Sequence, residues 1–143
     1  MANYKKILVA LDLSENSDQV AIAGQDLAAC SNASLVLLHV VEFIPIEPLG
    51  ESLMPSVQIE DDMIERSRKK LDELIARLAL PRTMGRVEAG NTKIEILRVA
   101  ELEKVDLIVL GSRERHGLAI LVNFTEDTVL HAAHCDVLAV RLK

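Results

Sequence analysis

Apolar residues along this chain follow two alternating rhythms. Lys5-Lys-Ile-Leu-Val-Ala-Leu-Asp12 and Ser34-Leu-Val-Leu-Leu-His-Val-Val41 are short, almost unbroken apolar runs, the pattern of strands covered on both faces. Between them, Val20, Ala23, Gly24, Leu27 and Ala28 recur at helical spacing. Ser14-Glu-Asn-Ser17 supplies hydroxyls and carbonyls for the start of that helix, and Ser31-Asn32 ends it. Residues 42–55 contain Pro45, Pro48, Gly50 and Pro55 and predict a loop, because proline removes donors and disfavours helix before it. A loop of that length suits a lid or a partner surface. From Ser56, the residues Ile59, Met63, Leu71, Leu74, Ile75 and Leu78 mark a long helix, with Glu65-Arg66 and Arg68-Lys69-Lys70 on its solvated face.

Pro81 stops that helix, and Met84-Gly-Arg-Val-Glu-Ala-Gly90 reads as a less apolar strand at or near a sheet edge. Thr92-x-x-Glu95 has the pattern of a capping box, with Ile94, Leu97 and Ala100 as the buried face of the next helix. A strand from Asp106 to Gly111 follows, then a polar loop, then a helix carrying Leu118, Leu121, Val122, Val129 and Ala132. Asp136-Val-Leu-Ala-Val-Arg-Leu142 is the final strand. Strands alternating with helices imply right-handed crossovers and a parallel sheet. The expected architecture is one α/β domain over residues 1–143, a small, doubly wound, mainly parallel five-stranded sheet of order 3-2-1-4-5 with helices on both faces. In such a sheet ligands bind beyond the carboxyl ends of the strands where the winding reverses. Asp12 and Gly111 should face each other across that crevice.

Composition narrows the function. The chain has 143 residues, 50% of them apolar and 27% charged, with a net charge of −6, as expected of a globular domain. With one Tyr, two Phe and no Trp it lacks the stacking platforms of single-stranded nucleic-acid binders. Its acidity also disfavours a phosphate-backbone partner. Cys30 and Cys135 are far apart and have no metal-ligand spacing, so both read as buried structural thiols. No signal-peptide pattern precedes the first strand, and no apolar run approaches the roughly 18 residues of a membrane span. A cytoplasmic protein without membrane contact is expected. No Ser or Cys nucleophile has a recognisable base at motif spacing, and Asp61-Asp62 falls on the surface helix start, so no catalytic residue is assigned.

Five pieces, in order, resemble the universal stress protein family: Lys5-Lys-Ile-Leu-Val-Ala-Leu-Asp-Leu-Ser14, Leu38-His-Val-Val41, Gly90-Asn-Thr-Lys-Ile-Glu-Ile-Leu97, Val105-Asp-Leu-Ile-Val-Leu-Gly-Ser112 and Asp136-Val-Leu-Ala-Val140. The resemblance covers essentially the whole chain. It implies a cytoplasmic, non-catalytic stress-response protein with a Rossmann-like fold, usually a homodimer paired through the last strand, here Asp136 to Leu142. The family's ATP binders carry Gly-x-x-Gly-x9-Gly-[Ser/Thr] after the fourth strand. On this chain the first glycine is Gly111, the second position is Glu114, the third is Phe124 and the hydroxyl is Thr125. A one-residue slip puts Asn123 at the third glycine. By the same resemblance, Asp12 matches the position near adenine and ribose, and Val40 a backbone contact to the base.

Glycines in a phosphate loop allow positive φ and let backbone N–H groups approach the anion. A carboxylate at Glu114 would repel a polyphosphate by roughly 1–4 kcal/mol, and Phe124 would fill space instead of cradling oxygen. Tight ATP binding is not expected, and the subgroup with a degenerate motif, acting through an unknown protein partner, fits best. Arg113, Arg115 and His116 could still attract an anion, which keeps weak ATP or AMP binding through Asp12, Val40, Gly111, Arg113 and Thr125 as the alternative. Asp12 alone could equally be a strand-ending turn residue, and His39 a satisfied core histidine. A phosphoacceptor receiver domain fits less well, because its third strand should end in an aspartate and this one ends in Glu88-Ala-Gly90.

Overall fold

A computed structural model describes residues 3–42, 56–113 and 124–142 of the chain. The apolar runs become five strands: β1 (Lys6–Ala10), β2 (Ser34–Val41), β3 (Thr83–Ala89), β4 (Leu107–Arg113) and β5 (Asp136–Leu142). They pair in parallel in the order β3-β2-β1-β4-β5, as expected. The helices are α1 (Ser17–Ser31), α2 (Ser56–Leu78), α3 (Thr92–Leu102) and α4 (Phe124–Ala132).

Alternation along the strands divides the interior into two cores. Ile7, Val9, Leu35, Leu37, Leu107 and Val109 point to one face, under α1 and α2, where Val20, Ala21, Leu71 and Leu74 cover them. Leu8, Val36, Leu38, Val40, Ile108 and Leu110 point to the other, under Ile96, Val99 and Ala100 of α3 and Val129 of α4. Central strands buried on both faces must be apolar at every position, which is why β1 and β2 read as unbroken runs. Gly24 allows α1 to lie against β1: a Cβ there would overlap Val9 Cγ2.

The outer strands differ from the inner ones. β5 is half exposed, with Leu138 39% accessible. Its first residue is tied to the chain start by the Tyr4 hydroxyl, which donates to Asp136 Oδ2 at 2.8 Å. At the other edge, β3 is only partly buried. Its α3-side residues Arg86 and Glu88 join Lys6, Glu95, Arg98 and Glu103 in one ion network, with contacts of 2.6 to 3.4 Å. Arg77 forms a two-point pair with Asp18, joining α2 to α1.

Several local expectations are corrected. The capping box at Thr92 is not formed: Asn91 is the cap, accepting from the amide of Ile94 at 3.1 Å. Glu95 turns instead to Arg98. Ile94 is 63% exposed, and the buried stripe of α3 is Ile96, Val99 and Ala100. Ile94 lies two residues before Ile96, and two steps of a 3.6-residue helix carry it to the far side. Ala132 is exposed at the end of α4. Cys30 is exposed and Cys135 only half-buried, since Cys30 falls on the outward face of the last turn of α1. The expected loop beyond residue 42 and the positions Leu118, Leu121 and Val122 lie outside the described residues.

Candidate functional site

The winding reverses between β1 and β4, where a ligand crevice is expected. Val9 lies beside Val109 in their ladder, so Asp12 and Gly111 stand at the same end of adjacent strands. Past Ala10 the chain stays with β2, where the Leu11 amide donates to the Leu38 carbonyl at 2.8 Å. The chain then turns sharply. Asp12 Oδ1 accepts from the Ser14 amide at 2.9 Å and from the Ser17 hydroxyl at 3.3 Å. Between them, Leu13 adopts φ +60°, a left-handed conformation that costs a residue with a Cβ about 1–2 kcal/mol. The Asp12 bonds and the packing of Leu13 against the α1-side core hold it there. Nothing in the sequence signals a left-handed leucine.

The serines of this segment shape the turn and do not cap the helix. Ser14 Oγ accepts from the Asn16 amide at 3.3 Å, while Asn16, the N-cap of α1, makes no side-chain cap. Asp12 is exposed but already engaged as a turn former. Behind it, His39 Nδ1 lies 2.8 Å from the Leu11 carbonyl. A carbonyl only accepts, so Nδ1 carries the proton and His39 is a satisfied, half-buried histidine. Val40 is 8% exposed, with its side chain in the α3-side core.

Against expectation, the strand does not stop at Gly111. β4 continues through Ser112 to Arg113, in register with Val140, Arg141 and Leu142 of β5. A Cβ on Gly111 would lie 2.8 Å from Leu142 Cδ1 and 3.2 Å from Val20 Cγ2. The space beside this glycine is therefore filled by the protein's own side chains, and close packing alone demands it. The structure places Arg113 at the last paired position of β4 and Phe124 and Thr125 at the start of α4. Glu114, Arg115, His116 and Asn123 lie outside the described residues.

At the neighbouring strand end, Glu42 carries a role that sequence reading missed. Its Oε1 accepts from the Thr92 amide at 2.8 Å, filling the start of α3, where free N–H groups favour an anion. The hydrogen bonds from Thr92 hold this carboxyl below the usual carboxylate range. Glu103 is lowered in the same way, first by its bond from Lys6 and then by Arg86, and Asp18 by its bond from Arg77. Burial pushes the Cys135 thiol up, helped by Asp136 and Asp106, which makes it a poor nucleophile. Among the described residues, no group of three or more His, Cys, Asp or Glu could hold a metal ion. No described helix is long and apolar enough to cross a membrane.

The lowered carboxyls fix the sign of an acid response. A carboxyl whose folded pKa lies below its unfolded one stabilises the fold above the unfolded value. That stability is lost as pH falls through the folded value. The Tm should hold steady above pH of about 5 and fall progressively from there toward lower pH. Glu103→Gln should be less stable than wild type at neutral pH and flatter in its acid response. Calorimetric scans across pH check this, and parallel acid profiles for the two proteins would count against it.

Comparison with known proteins fits this geometry. The model of the universal stress protein family matches residues 3–141. Universal stress protein A homolog 2 of Coxiella burnetii is 40% identical over 144 aligned residues, covering 100% of this chain and 99% of its own. The solved structure of hypothetical protein MJ0577 superposes with a TM-score of 0.81 at 24% identity, over 99% of each chain. That of a universal stress protein in complex with cAMP superposes at 0.67 and 20% identity, over 98% of each. With a doubly wound sheet in the expected order and a family match along nearly its whole length, the chain belongs to the universal stress protein family.

Proposed function

We propose that this protein is a non-catalytic, cytoplasmic member of its family that acts as a homodimer through contacts with a protein partner and holds no nucleotide tightly. The observation that carries this reading is the pair Glu114 and Phe124 at positions where the ATP-binding motif has glycine. Gly111, the one glycine left, has a packing reason to be there that needs no ligand. Asp12, the residue matched to the adenine and ribose side, already accepts two hydrogen bonds from its own turn. Dimerisation through β5 is supported by that strand's position at the sheet edge and its exposed Leu138, since an open edge is a template for pairing.

A second reading is a weak sensor of a small adenine nucleotide. It is favoured by the related fold solved with cAMP, because a ligand with one phosphate charge meets less repulsion from Glu114 than a triphosphate does. Calorimetric titration with ATP, AMP and cAMP separates the two. The expected result is no heat of binding at sub-millimolar ATP for wild type, and a gain of about tenfold or more in affinity for Glu114→Gly. Micromolar ATP binding by wild type would overturn the first reading. Binding of AMP or cAMP without ATP would favour the second.

A further inference from the structure

The β3 edge of the sheet carries a charged side chain on its outward backbone. In a parallel ladder the N–H and C=O of alternate residues point to opposite neighbours. The Arg82 carbonyl accepts from the Leu35 amide, and the Gly90 amide donates to the Val41 carbonyl. The even-numbered residues of β3 therefore face β2, and Thr83, Gly85, Val87 and Ala89 turn their polar groups to the outer edge, where no strand pairs among the described residues. The outward carbonyl of Gly85 accepts from Arg68 Nη1 at 2.7 Å. Asp72, one turn further along α2, approaches Arg68 Nε at 3.6 Å and holds the guanidinium over the strand.

The absence of a side chain at 85 makes this contact reachable. A Cβ there would lie 3.1 Å from both Ile75 Cδ1 and Leu71 Cδ2, so glycine lets α2 settle close to β3. Leu71 and Ile75 anchor that turn on the α1-side core, and Arg68, one turn earlier, reaches across the edge. A charged donor on an edge carbonyl removes an acceptor that an incoming strand needs and leaves a cation in its path.

We infer that Arg68, held by Asp72 over the Gly85 carbonyl, closes the β3 edge to strand addition by a second copy of this chain. Rule by symmetry: a chain with one open edge pairs once and stops, whereas a chain with two open edges, each pairing with its like, extends without end. Arg68 thus keeps association finite. The inference rests on the β5 dimer for its consequence but not for its cause, so the two can fail separately.

The test is sedimentation velocity at concentrations up to several hundred micromolar on wild type, Arg68→Ala, Arg66→Ala, Leu138→Lys and Arg68→Ala combined with Leu138→Lys. Arg66, exposed on the same helix, controls for the loss of one positive charge. The expected result is a weight-average mass for Arg68→Ala at least about twice that of wild type, with Arg66→Ala unchanged. In the Leu138→Lys background, Arg68→Ala should restore association through β3. Equal masses for wild type and Arg68→Ala, or an equal rise in Arg66→Ala, would overturn the inference. Wild-type-like mass in Leu138→Lys alone would sink the β5 reading, while the comparison of Arg68→Ala with wild type would still decide the role of Arg68.

Discussion

Ile108→Ala should lower the free energy of unfolding by about 2–5 kcal/mol and the Tm by roughly 10 °C. Ile108 is fully buried in β4, opposite Leu8 in the β1 ladder and Val137 in the β5 ladder. Ile96, Val99 and Val129 belong to the same core cluster from the helix side. Removing three carbons there leaves a void that cannot close by backbone movement, because hydrogen bonds fix the strand on both sides. The surrounding leucines and valines would lose dispersion contacts without regaining them. Urea denaturation measures the loss directly, and a change below about 1 kcal/mol would mean that this core repacks more freely than its density implies.

The second large effect concerns Gly111. Gly111→Ala, measured on protein free of nucleotide, should cost about 1–3 kcal/mol through overpacking. The new methyl group meets Leu142 from β5 and Val20 from α1 at once. Leu142 can swing its free end away, but Val20 is buried, 4% exposed, and branched at Cβ, so it has little room to turn. The measurement separates two explanations for one residue. If the glycine served only a ligand, alanine would leave the stability of the empty protein unchanged. A loss of stability without nucleotide assigns it to the contact between β4, β5 and α1.

How much of this was legible beforehand follows from how local each cause is. β2 and β5 were readable to the residue, because burial on two faces, or exposure at an edge, writes itself into consecutive side chains. The strand order was also legible, since the alternation of strands and helices fixes where the winding reverses. The end of β4 was not. Ser112-Arg113 reads as loop, and only pairing with Arg141 and Leu142 makes it strand. The cap of α3 was misplaced by one residue because Asn91 and Thr92 offer the same chemistry. Glu42, which takes the Thr92 amide, is 50 residues away. Likewise, Arg68 looked like one charge among several, and its reach to Gly85 depends on the helix–strand distance that a glycine permits. The left-handed Leu13 left no compositional trace at all.

The bond between Tyr4 and Asp136 has an optical consequence. The chain contains one tyrosine, two phenylalanines and no tryptophan, so its near-ultraviolet emission is dominated by a single phenol, and that ring is tethered to the first residue of β5. A phenol hydrogen-bonded to a carboxylate acceptor emits weakly, because the excited state hands over its proton. The protein thus carries a built-in lamp beside the strand through which it is proposed to pair, dim while the tether holds and brighter when it lets go.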